Sequence, residues 1–326
     1  MLNLKVIRYR KFYIGFSALM VTLSLIFFLT IGLNLGIDFK GGDLLQVKYE
    51  KPVNKDVINK SLNELTKDIP ELGAKKVQIS SDDNTMILRT GQLSEAQKSN
   101  LLGKLTEKTG KYEIIRYDTV GATIGKELTR NAVWALVIGS ILIVIYVTIR
   151  FEFVYAIAGI IALLHDVLIC IGLIALLRYE VDTPFIAAIL TILGYSINDT
   201  IVIFDRIREN KEILPRATKE EIINTSVTET LTRSIYSSLT TFIMIFVLFI
   251  MGVSSIREFA LPIMVGIVAG TYSSVFLSSI FWYIFSNRFD KKIEQKKEEQ
   301  KAQKAKNKKK KDKKVEINKD SNGAVV

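Results

Sequence analysis

Six stretches of about twenty nearly uncharged residues, spread along a chain of 326, decide most of what this sequence can become. In helical form a run of that length crosses the ~30 Å hydrocarbon layer of a bilayer. The runs fall at 12–33, 131–149, 153–177, 184–204, 232–252 and 260–285. They exclude a soluble enzyme and predict a membrane bundle of six helices. The first run follows Lys5, Arg8, Arg10 and Lys11. Its length, and the five spans behind it, mark it as a retained anchor rather than a cleaved signal.

Charge supplies the orientation. Of a net +11, residues 1–11 carry +4 and the tail from 286 carries +8, while 131–285 carry −3. The basic ends belong in the cytoplasm by the positive-inside rule, so alternation puts residues 34–130 outside and 205–231 inside. That is the topology of a multi-pass membrane protein with both ends on the cytoplasmic side. The tail, 286–326, has a Lys308–Lys311 run and no aromatic residue beyond Phe289. It reads as a disordered cytoplasmic arm drawn to anionic lipid. Without interleaved aromatics for stacking, no nucleic-acid partner is expected.

The insertion at 34–130 has a pattern of its own. Leu44–Glu50, Lys76–Ser80, Thr85–Thr90 and Lys111–Asp118 read as strands, with Ser81–Asn84 as the turn of a hairpin. Asn54–Ile69 and Ser94–Thr109 have helical spacing, and Ser94 is placed to cap the second. The order βαββαβ is that of a ferredoxin-like α+β domain, one sheet face under two helices. On the cytoplasmic side, Thr218 and Glu221 form a capping-box pattern that predicts a short helix between the fourth and fifth spans.

Little of the usual chemistry is available. His165 is the only histidine and Cys170 the only cysteine, which removes internal disulfides, zinc clusters and thiol–imidazole catalysis. No glycine loop with a following lysine and hydroxyl residue is present to hold ATP, so neither a cofactor nor an enzymatic activity is expected. What stands out is inside the membrane, where ionisable groups are costly and usually face a bundle interior or a water path. The third span holds His165 and Asp166, roughly 18–20 Å from its inner end at the helical rise. The fourth holds Asn198 and Asp199, and the fifth holds Arg233 followed by Ser234, Ser237, Ser238, Thr240 and Thr241. In an apolar layer, desolvation favours the neutral form of a carboxyl and a nearby cation favours the ionised form. An aspartate opposite an arginine is therefore able to take up and release a proton. The plainer readings are structural hydrogen bonds for the aspartates, packing for His165 and snorkelling of Arg233 to the headgroups. The hydroxyl face of the fifth span, and Gly266 with Gly270 in the last, read as close helix packing.

Several stretches resemble a known family. GIDFKGG at 36–42, VGATIGKEL at 120–128, ALLHDVLI at 162–169, GYSINDTIVIFDRIREN at 194–210 and LTRSIYSSLTT at 231–241 are similar to motifs of the SecF family. The resemblance covers residues 1–290. It implies a six-helix half of an RND-type transporter whose other half is SecD. It further implies a role in using the proton-motive force to assist preprotein export by SecYEG and SecA. Carried over by motif, Asp199 would be the proton-carrying carboxylate, Arg233 its cationic partner and Asp166 a secondary relay. The competing reading is a small-molecule or lipid exporter of the wider superfamily. Exporters of that kind usually carry two long insertions and twelve spans in one chain.

Overall fold

The computed structural model describes residues 4–299 apart from 53, 81–83, 253, 293 and 297. The first membrane helix, α1, is Arg10–Ile31. A two-residue strand β1 (Asn34–Leu35) and a one-turn helix α2 (Ile37–Lys40) lead into the domain outside the membrane. There follow β2 (Gly42–Tyr49), α3 (Lys55–Leu65), β3 (Lys76–Ser80), β4 (Thr85–Thr90), α4 (Glu95–Thr109) and β5 (Tyr112–Val120). The chain returns to the membrane through α5 (Ala122–Arg150) and α6 (Phe153–Leu176). A second short strand β6 (Glu180–Val181) precedes α7 (Thr183–Ile213), α8 (Lys219–Met251) and α9 (Ser254–Tyr272). Past α9 the helix widens into a π segment, Ser273–Ser278, and its described residues stay helical through 299.

The domain is the ferredoxin-like fold that the βαββαβ order implies. Its sheet order is β3-β4-β2-β5 with every neighbour antiparallel. Leu45 and Val47 of β2 and Met86 and Leu88 of β4 bury one face against Ile58 and Leu62 of α3 and Leu101 and Leu105 of α4. Local chemistry starts both helices. Asn54 accepts from the Asp56 amide at 2.9 Å, and Ser94 with Gln97 forms a capping box. The turn expected at Ser81–Asn84 lies largely outside the described residues.

Two glycines fix how the domain leaves the membrane. Gly42 has φ +125°, and a Cβ there would sit 2.2 Å from the Thr90 carbonyl oxygen. Gly41 has φ +75°, and its amide would lie 3.2 Å from a Cβ on Gly125 of α5. Only glycine fits at either place in the turn. The second face of the sheet is also covered. Gln46, Gln78, Ile87 and Arg116 look across a cleft of about 860 Å³ toward Tyr179, Glu180 and Glu258 of the membrane domain.

A collar of polar contacts ties the two parts together. β1 pairs in parallel with β6, and Asn34 Nδ2 donates to the Arg178 carbonyl at 3.1 Å. Arg178 in turn donates to the last carbonyls of α1, Ile31 at 2.9 Å and Gly32 at 3.3 Å. Asp38 accepts from the Thr183 amide at 3.0 Å, a carboxylate placed on the positive N-terminus of α7. Arg89 of β4 is buried in an ion pair with Glu180 and lies 4.0 Å from Glu258. Burial lowers the Arg89 pKa, and it raises that of Asp182, with Asp38 as a second cause.

The helices are longer than the apolar runs. α5 begins nine residues before the run at 131, α7 continues to Ile213, and the capping box at Thr218 starts α8. The short cytoplasmic helix expected there is instead the first part of a 33-residue helix that includes the fifth span. No glycine or proline interrupts it, and Ile222, Ile223 and Val227 pack into the same core as Ile203 and Ile207 of α7. The tail expected to be disordered from 286 is helical in its described residues through 299, and its first part is held by Lys219, which binds Ser286 at 2.7 Å and pairs with Asp290. Residues 301–326, with the lysine run, lie outside the described residues.

Candidate functional site

The centre of the bundle is built by α6, α7 and α9, which bury far more of their surface than α5 and α8 do. Close approach makes this possible. A Cβ on Gly266 would meet Ile192 at 2.2 Å, and one on Gly270 would meet the Ser196 side chain at 3.0 Å and Asp166 Oδ2 at 3.5 Å. The glycine pair read as a packing device does pack α9 on α7, and it also lays the α9 backbone beside a carboxylate.

Asp166 is fully buried. Its Oδ2 accepts from Ser196 Oγ of α7 at 2.6 Å and from Ser273 Oγ of the π segment at 2.7 Å. Its Oδ1 lies 2.9 Å from Nδ1 of His165, whose Nε2 is buried without a partner. One carboxylate thus joins three helices using neutral donors, and no permanent cation is paired with it among the described residues.

Asp199 lies three residues beyond Ser196 on α7, hence on nearly the same face. It is 5% exposed, and its Oδ2 accepts from Ser238 Oγ of α8 at 3.3 Å. Ser238 receives a second bond, from Thr271 Oγ1 of α9 at 2.7 Å. Thr200 and Ser274 meet at 2.8 Å, and Ser274 Oγ donates to the Ser196 carbonyl at 3.0 Å. The result is a hydroxyl and carboxyl cluster across α6, α7, α8 and α9, in two hydrogen-bonded groups, one around Asp166 and one around Asp199.

The residues picked from sequence divide in two. His165, Asp166 and Asp199 are inside this cluster. Asn198 and Arg233 are exposed on the outer surface of α7 and α8. Arg233 is near enough to Asp199 to act on it electrostatically, yet the two make no ion pair within 4.0 Å. Along the hydroxyl face of α8, Ser237, Thr240 and Thr241 bond to carbonyls of their own helix, and Ser238 alone reaches Asp199. Sequence reasoning missed Ser196, Thr271, Ser273 and Ser274. The signal was the run TYSS in the last span, four hydroxyl residues in succession where an apolar helix needs none.

Six crossing helices, one domain outside the layer and a buried carboxyl cluster in the middle define one half of an RND-type membrane transporter. Residues 101–288 match the family described as protein export membrane protein SecD/SecF, C-terminal, and residues 26–53 match the SecD/SecF GG motif. The chain belongs to the SecD/SecF family. It is 50% identical over 291 residues to the protein translocase subunit SecF of Sebaldella termitidis, covering 89% of this chain and 94% of that one. It is 38% identical to the protein translocase subunit SecDF of Bacillus subtilis, covering 87% of this chain and 38% of the relative. The crystal structure of SecDF from Thermus thermophilus, a translocon-associated membrane protein, aligns with a TM-score of 0.80 at 35% identity, covering 88% of this chain and 39% of that one. The chain is thus a translocase subunit of protein export, of the SecF kind. The fused relatives, which it spans for only about two fifths of their length, support a SecD half as its partner.

Proposed function

We propose that this chain, joined to a SecD half, uses a proton gradient to assist preproteins that SecA drives through SecYEG. In that reading Asp199 carries the proton, Arg233 is the cation that favours its release, and Asp166 with His165 is a secondary relay. Asn198, exposed beside Asp199, lines the entry to the path. The domain then faces the far side of the cytoplasmic membrane, with both chain ends and the lipid-seeking lysine tail in the cytoplasm.

The observation that carries this reading is the setting of Asp199. It is buried in an apolar helix with one hydroxyl partner, on a helix whose next surface residue, Asn198, is open. A purely structural aspartate in lipid gathers partners until its charge is matched. Asp199 has one hydroxyl and a cation held outside contact. The open surface of α7 and α8, where Asn198 and Arg233 lie, is where the second half would seat and close the path.

The test is export into vesicles containing the full complex, with and without an imposed gradient. Asp199→Asn is expected to abolish the gradient-dependent part, because an amide does not titrate near neutral pH. Asp199→Glu is expected to retain part of it, and Arg233→Lys to fall between, keeping the charge without the planar fork. A fully active asparagine variant removes Asp199 from the proton path.

A further inference from the structure

The cluster is continued by a residue that nothing above assigns. Tyr272 lies between Thr271, bonded toward Asp199 through Ser238, and Ser273, bonded to Asp166. Successive residues of a helix point about 100° apart, so three neighbours in sequence face three different helices. Thr271 faces α8, Ser273 faces α6, and Tyr272 faces α1. Its hydroxyl donates to the Tyr13 carbonyl at 3.0 Å and lies 3.0 Å from Ser17 Oγ. A phenol has one proton, so with that proton on the carbonyl it is Ser17 that donates to Tyr272. The ring lies 6.0 Å from His165, 5.6 Å from Phe16 and 5.5 Å from Phe276, and Phe276 stacks on Tyr13 at 4.5 Å.

These are the only side-chain hydrogen bonds from the middle of α1 to another helix among the described residues. Elsewhere α1 packs closely on α6, where Gly172 faces Ser24, and its other hydrogen bonds to the rest of the protein are at its ends. The Leu4 and Ile7 amides donate to Thr228 and Asn224 of α8 at 3.2 and 3.3 Å, and the Ile31 carbonyl accepts from Arg178 in the collar. The π segment opens at Ser273, directly after Tyr272. A π turn holds one residue more than an α turn and is found frequently at functional sites. Any change in what Asp166 or Asp199 accepts from Ser273 or from Thr271 through Ser238 acts on the backbone on either side of Tyr272.

We propose that Tyr272 is the positioning residue by which the carboxyl cluster holds α1, and through α1 the strand β1 and the domain beyond it. Tyr272 does not carry the ion. It converts the hydrogen-bond state of the cluster into the position of α1, one of the two helices that join the membrane bundle to the domain. This rests on the gradient-driven reading above, and the experiment separates the two.

The full complex is reconstituted with Asp199→Asn, Tyr272→Phe, Ser17→Ala or Ser17→Thr. Export is measured with and without a gradient, and the carboxyl infrared difference signal on acidification is recorded for each. Tyr272→Phe keeps the ring and its packing and removes only the hydroxyl. It is expected to lower the gradient-dependent export about five-fold, the factor that one hydrogen bond of ordinary net strength supplies. Gradient-free export, and the part of the infrared signal that Asp199→Asn is expected to remove, are expected to persist. Ser17→Ala should fall in the same direction and Ser17→Thr should restore the coupling, an outcome a packing role does not give. If Tyr272→Phe and Ser17→Ala couple as well as the parent while Asp199→Asn is dead, the inference is wrong and the proton reading stands. Loss of the infrared signal in Tyr272→Phe also overturns it, since the phenol would then belong to the ion site. If Asp199→Asn is fully active, the proton reading itself fails.

Discussion

The collar and the cluster both bury charge, and they satisfy it in opposite ways. In the collar, Arg89 meets Glu180 directly and Asp38 sits on a helix N-terminus, so the charges are matched in place. In the cluster, Asp166 and Asp199 are held by the hydroxyls of Ser196, Ser273 and Ser238. A hydroxyl donates to a carboxylate and accepts from a carboxylic acid, so its bond survives a change of charge. An ion pair does not. The first arrangement fixes a joint, and the second leaves a protonation state free to vary without taking the helices apart.

The largest effect should come from breaking the matched pair. Arg89→Leu strands Glu180 in the collar, and removing one partner of a buried pair costs about 3–5 kcal/mol. The domain is expected to become protease-sensitive in the intact complex, with the six helices still inserted. If Arg89→Leu leaves the domain as protected as before, the collar is not what holds it.

The cluster should respond less, and in a manner that depends on shape more than charge. Asp166→Asn keeps an acceptor for Ser196 and Ser273, and the His165 ring can accept from the new amide as its neutral tautomer. A loss below about 1 kcal/mol is expected. Asp166→Leu leaves both serines and the imidazole without that acceptor and should cost about 2 kcal/mol. Thermal unfolding of the detergent-solubilised complex compares the two. Equal losses would mean that the charge of Asp166 is part of the structure, as in the collar.

The smallest effect is a pH dependence of the joint. Burial, and then Asp38, hold the Asp182 carboxyl above its ordinary pKa. A raised pKa means that the docked state binds the proton more tightly than the free chain does. Its contribution is therefore complete below the ordinary carboxylate value and is lost as pH rises through the raised one. Amide exchange around β1 and β6, corrected for intrinsic rate, should slow on going from about pH 8 to about pH 5. Asp182→Asn should flatten that dependence, and an unchanged slope would assign it to another group.

How much of this the sequence disclosed depends on how local the signal was. The strands Lys76–Ser80 and Thr85–Thr90 follow from alternation, and the starts at Ser94 and Thr218 from side chains that bond their own backbone. Helix lengths were less legible, because Ala122–Arg130 and Lys219–Leu231 are polar yet helical through packing that is remote in sequence. The collar was invisible, since β1 and β6 have two residues each and Arg89 finds Glu180 across 91 positions. In the site, Asp166 and Asp199 were conspicuous because charge in an apolar run is rare. The serines and threonines that hold them were not, because hydroxyl residues in membrane helices commonly bond their own turn, as Thr240 and Thr241 do.

Parity follows from the contacts at the chain ends. The Leu4 and Ile7 amides bind the early turns of α8 at Thr228 and Asn224, and Lys219 at the start of α8 binds Ser286 beyond the last span. The polypeptide enters and leaves the bundle at the same end, as an even number of crossings requires. Two such halves can be joined head to tail by a simple loop, with no additional crossing to restore the sidedness of the second. A gene fusion or fission at this point leaves every helix in its original direction. Both arrangements occur among the relatives, a one-chain SecDF and a separate SecF.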